Sequence, residues 1–286
     1  MKKIAIYITL GILAVACSQP VVYFEAKDFT MEGLFTSGIE GPAVDRSGNI
    51  YAVNFESEGT VGVVSPEGEA NLFIRLPEGS TGNGIQLNSA GDMLVADYTG
   101  HNILKVDMAT KDVSVFAHSL SMNQPNDIAI TKDDYLYASD PCWADSTGML
   151  WLVTPNGEIR LLEDGMGTTN GIAVSLDGKR LYVNESRQLR LWVYDINSDK
   201  TLSGKRLFHT FEGYGLDGMC CDANGNLYVT RHEKGTVVIL SPEGVLLKEV
   251  SVTGSKPSNI VINNGIAYVT LQDRGCFAAF VCDPNL

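Results

Sequence analysis

The sequence predicts an all-β fold, a six-bladed β-propeller with four-stranded antiparallel blades, and three observations carry that expectation. A turn signal followed by a short apolar strand recurs six times, at Ser47 to Val53, Ala90 to Ala96, Asp133 to Ser139, Asp177 to Val183, Asn224 to Thr230 and Asn264 to Thr270. The turn residues Gly48, Gly91, Asp134, Gly178, Gly225 and Gly265 stand 43, 43, 44, 47 and 40 residues apart, a period typical of propeller blades. No segment between the copies sustains helical periodicity, which excludes helical solenoids and doubly wound α/β folds.

The elements follow in chain order. Lys2 and Lys3 precede an uncharged apolar run, Ile4 to Val15, that is shorter than the roughly 20 residues of a spanning helix. With small residues just before Cys17, residues 1–16 read as an export signal. Ala14 to Ala16 suit ordinary secretion, while Cys17 resembles the lipid-accepting cysteine of bacterial lipoproteins. Lipidation of Cys17 is the expectation, and with it a place in the bacterial cell envelope, on the periplasmic face or outer membrane. Residues 17–286 then form a single propeller domain of about 45 residues per blade.

The third copy displays a whole blade: apolar Ile128 to Ile130, a turn at Lys132 to Asp134, strand Tyr135 to Ser139, strand Met149 to Val153, a turn at Asn156 and Gly157, then Ile159 to Leu162. The sixth copy ends one strand short, whereas the apolar stretch Val21 to Ala26 has no blade of its own. The N-terminal strand is therefore expected to complete blade six and close the ring, protecting its edges.

Charge and cysteine usage narrow the partners. The formal charge is −13, and loss of Lys2 and Lys3 with the leader makes the mature chain more acidic still. Nucleic acid is thereby excluded as a natural partner, and a membrane is reached only through the lipid on Cys17. Of the five other cysteines, Cys276 and Cys282 would lie about 20 Å apart on one strand, too far for a disulfide.

One position repeats with an oxygen-bearing side chain. Eight residues before the turn residue stand Glu40, Asn83, Asn126, Asn170 and Asp217, and the shorter sixth hairpin has Asn259 six before Gly265. In a propeller this place lies just before each innermost strand, so the side chains converge on the channel mouth. Asn or Asp before Gly is also a common turn former, but that alternative does not explain Glu40 or the recurrence at one offset. Amide and carboxylate oxygens suit one divalent cation, Ca²⁺ best, with Zn²⁺, Mn²⁺ or Mg²⁺ left open.

At these residues the chain resembles the gluconolactonase, regucalcin and senescence-marker family (SMP-30/gluconolactonase/regucalcin-like). The matching runs are Glu40 to Pro42 with Asp45 to Tyr51, Gln124 to Asp127, Asp140 and Pro141, Asn170 to Ile172 with Leu176 to Val183, and Leu216 to Gly218 with Asn224 to Val229. The resemblance implies that Glu40, Asn170 and Asp217 ligate the metal and that Asn126 approaches both metal and substrate. It also implies that Asp217 is the catalytic base; Asn83, at a matching Asn-Gly position, is itself read as facing the substrate. Where sugar-lactonase members often place an arginine, two residues before Asn126, this chain has Gln124.

The expected activity is metal-dependent hydrolysis of a small lactone or ester, the metal polarising the carbonyl for attack by water. The base is either the free oxygen of Asp217 or a metal-bound hydroxide. Specificity is expected from second-to-third strand loops carrying Tyr98, His101, Asp140, Trp143, Glu185, Arg187, Arg231, His232 and Arg274. No Gly-x-Ser-x-Gly nucleophile motif is present. The rival class is a non-enzymatic, metal-stabilised propeller that serves as a binding scaffold.

Overall fold

A computed structural model describes residues 21–286; the expected export signal and Cys17 lie outside them. Among the described residues every regular element is a strand, and these form six four-stranded antiparallel sheets. Their innermost strands are Ala43–Val44, Gly82–Leu87, Ile128–Ile130, Thr169–Val174, Gly215–Cys221 and Pro257–Asn263, each packed beside the next around a ring. The chain is therefore a six-bladed β-propeller, as the period predicts.

The repeated turn works as the sequence suggests. In the first blade the Asp45 carboxylate accepts hydrogen bonds from the backbone N–H of Ser47 and Asn49 at 2.8 and 2.9 Å, which frees Gly48 to take a φ of +86°. Asp134 replaces glycine in the third blade at a φ of +63°. Its carboxylate accepts from Ser89 N and Ser89 Oγ of the second blade, which explains a residue otherwise unfavourable there.

The core is divided into six clusters, each filling the gap between two adjacent blades. Blades one and two share Val53, Val61, Ile85, Val95 and Leu104, whereas blades six and one share Phe35, Ile50, Phe55, Tyr268 and Phe277. Burying each such side chain contributes about 1.5–3 kcal/mol. The last strand of each blade is largely exposed, as at Leu202–Thr210.

The sixth sheet carries Lys27–Asp28 on its outer edge, paired with Ala279 and Ala278 of the strand Cys276–Val281. The pairing residues lie just after the predicted Val21 to Ala26, which contributes one bond, from Phe24 N to Val281 O at 2.9 Å. Arg274 donates to both Asp28 oxygens and to Glu32, tying the N-terminal segment to this blade. Cys276 and Cys282 are free thiols.

Candidate functional site

The repeated oxygen-bearing residues sit in a repeated irregularity. In the second blade Asn83 and Gly84 lie between the pairs Gly82↔Asp97 and Ile85↔Val95, so two residues oppose Ala96 alone. Asn170 and Gly171 do the same in the fourth blade, and Asp217 and Gly218 in the fifth. Such a bulge breaks side-chain alternation and re-aims what it carries. The glycine after the oxygen-bearing residue then permits close blade packing: a Cβ on Gly41 would overlap the Asn83 carbonyl, and one on Gly218 the Asn259 side chain.

Five of the predicted residues, Glu40, Asn83, Asn126, Asn170 and Asp217, line one cavity of about 270 Å³ at an end of the central channel. Asn259 does not. In the sixth blade the bulge pair is Ser258 and Asn259, so Asn259 occupies the second bulge position, where blades one, two, four and five carry glycine, and Ser258 is the equivalent of Asp217. The sequence count missed this because the sixth hairpin is shorter.

Asn259 instead supports the site from below. Its Nδ2 donates to Glu40 Oε2 at 3.1 Å, a bond between the sixth and first blades. Asp127, also at a second position, accepts from Ile128 N at 3.0 Å and from Ile172 N of the next blade at 3.3 Å. Both line a second cavity of about 200 Å³ further along the channel. Asp127 was visible in the sequence as the acid that interrupts the recurring glycine.

Three carboxylates thus stand close together inside the protein. Burial, reinforced by the charge of Asp127, pushes Glu40 up to about 8. Burial also pushes Asp127 up to about 7, and burial with the charge of Glu40 holds Asp217 well above the usual carboxylate range. No lysine or arginine pairs with any of the three among the described residues. No three His, Cys, Asp or Glu side chains there are grouped to hold a metal, so a cation would need the amide oxygens as well as Glu40 and Asp217.

Of the nine expected entrance residues, Trp143 and His232 line the cavity, joined by Ser186 and Gln272. Ser186 and Gln272 leave their second strands where His232 does; Gln272, like His232, stands seven residues after its turn glycine, so that count would have found it, whereas Ser186 stands eight after Gly178, one beyond the count. The others have different work. Asp140 is fully buried and accepts from Asn123 N, Gln124 N and Trp151 Nε1. Glu185 accepts from Gly167 N at 2.8 Å, whereas the buried His101 Nδ1 has no partner among the described residues.

The chain is 27% identical over 253 residues to a gluconolactonase of Zymomonas mobilis, covering 76% of this chain and 70% of that protein. It is 27% identical over 269 residues to the diisopropyl-fluorophosphatase of Loligo vulgaris, covering 80% of this chain and 85% of the relative. Among solved structures, a calcium-binding protein, regucalcin, from Agrobacterium tumefaciens superposes with a TM-score of 0.78 at 20% identity, covering 92% of this chain and 95% of that one, a likeness of fold. Residues 39–272, bracketing Glu40, Asn83, Asn126, Asn170 and Asp217, match the SMP-30/Gluconolactonase/LRE-like region, and the chain belongs to that family.

Proposed function

We propose that this protein hydrolyses a small lactone or ester at the mouth of its channel, with one divalent cation, calcium by its donor chemistry, held there. The observation that carries the reading is the convergence of Glu40, Asn126, Asn170 and Asp217, from four blades, on one cavity whose acids pair with no lysine or arginine among the described residues. Buried carboxylates without a counter-charge are strongly disfavoured, and hard oxygen donors suit a hard cation. The relatives named gluconolactonase and lactonase support the substrate class, and the neighbour titled a calcium-binding protein supports the metal.

Glu40, Asn170 and Asp217 would hold the cation, with Asn126 at its edge. Bound there, the cation would supply an electrophile for the substrate carbonyl. Asn83 orients the substrate from the neighbouring blade. Asp217 receives the proton of the attacking water on its free oxygen: burial raises its affinity for that proton, while a neighbouring positive charge opposes the shift.

The test is hydrolysis of a panel of lactones and aryl esters by the protein lacking residues 1–17, with chelator, with added calcium, and with Asp217→Ala. Turnover that needs both calcium and Asp217 is expected. Calcium binding without turnover across the panel would instead identify a scaffold. The leader and Cys17 also support export and a lipid tether, which mass spectrometry of the mature N-terminus would test directly.

A further inference from the structure

The charges around the cavity restrict what can enter it. All three arginines that the sequence places near the mouth are turned to the protein. Arg187 Nη1 donates to Trp143 O at 2.7 Å and to Ser146 Oγ at 2.6 Å, and its guanidinium lies 5.7 Å from the Trp143 ring centroid. Arg231 is buried over the Phe211 ring and donates to Gly213 O, and Arg274 is bidentate on Asp28.

The wall facing a substrate is therefore Trp143, Ser186, His232 and Gln272, without lysine or arginine. Glu40 and Asp217 together already equal the charge of a divalent cation, and Asp127 lies below them. No positive surplus is left for an anionic substituent, which would leave water to lie beside acids. The wall does offer an aromatic face. It also offers a polar pair, His232 Nε2 and Gln272 Oε1 being 3.1 Å apart, which leaves the Gln272 amide N–H groups to meet a ligand acceptor.

We propose that the cavity selects an uncharged cyclic lactone, with its apolar ring face on Trp143 and its hydroxyl-bearing edge on His232 and Gln272, and rejects lactones carrying a carboxylate or phosphate. The substrate class rests on the hydrolase reading; the selectivity follows from the cavity itself. Trp143 and Gln272 are here specificity-determining residues. Arg187 is a positioning residue that holds the Trp143 loop.

The experiment is calorimetric titration of the calcium-loaded protein with two matched six-membered lactams, stable mimics of the lactone, one neutral and one with a carboxylate in place of a hydroxyl. The neutral compound is expected to bind at least tenfold more tightly. Trp143→Ala should remove at least tenfold of its affinity, and Trp143→Phe should restore most of that, which separates loss of a ring face from loss of fold. Equal or tighter binding of the carboxylated lactam, or no binding of the neutral one, would overturn the inference. Turnover of the corresponding lactones judges the hydrolase reading separately: discrimination between lactams without turnover removes that reading alone, and turnover without preference removes this one alone.

Discussion

The central channel holds a cavity at its mouth and another further along, and the inner strands serve the two differently. At the mouth, bulges interrupt the strands and aim Asn83, Asn170 and Asp217 inward beside Glu40 and Asn126. Further along, where pairing is regular, the lining passes to Ile85, Gln86, Ile130, Val174 and Cys220, with Asp127 and Asn259 at the boundary. The candidate chemistry is thus concentrated where regular β-structure is interrupted.

That contrast is most directly broken at Asp217. Asp217→Asn should lower kcat/KM by about 10³-fold, comparable to loss of a group that stabilises developing charge, with the melting temperature nearly unchanged; retained activity would move the chemistry elsewhere. Below the mouth, Asn259→Ala removes the donor to Glu40 and should weaken calcium binding by about 10 to 100-fold, as loss of a ligand-orienting partner does. A calorimetric change under twofold would separate the lower tier from the site.

The acids also predict a pH signature. Carboxyls whose folded pKa lies above the unfolded value stabilise the fold while protonated, and that stability is lost as pH rises through the folded value, about 7 for Asp127 and about 8 for Glu40. The melting temperature of the chelated protein should therefore fall as pH rises from about 6 to about 9. Added calcium should restore more of it at the alkaline end. A flat profile in chelator would mean that these carboxyls are not buried together.

At the periphery, we propose that the N-terminal strand holds the ring shut. Deletion of residues 21–28 should then lower the melting temperature by more than about 5 °C, and Arg274→Ala by less; an unchanged value for the deletion would refute the closure. The smallest effect belongs to the regular end of the channel. Cys220→Ala, in the second cavity, should leave kcat/KM within about twofold, and a larger loss would extend the site through the channel.

The sequence makes the ring legible because its period survives in the turn residues, and it makes five site positions legible because a side-chain type recurs at one offset. It misplaces Asn259, since one shortened hairpin shifts the count while the bulge keeps its own register. Asp127 faces the channel for a reason that only the bulge supplies. Arg187, Arg231 and Arg274 look like substrate clamps in one dimension. Their partners Trp143, Gly213 and Asp28 are fixed by tertiary packing and, for Arg274, lie more than 200 residues away.

The interlock at Gly41 and Gly218 divides the mouth into a part that cannot change and a part that can. A side chain at either glycine would collide with a bulge residue of the next blade, Asn83 or Asn259, so the inner bulges are held to one solution. Trp143, Ser186, His232 and Gln272 stand on strand exits and loops, where contact across blades runs through side chains, as from Arg187 to Trp143 O and between His232 and Gln272. Redesign for a new substrate therefore begins at those four rim positions, where the contents of the mouth can be replaced while the ring beneath stays as it is.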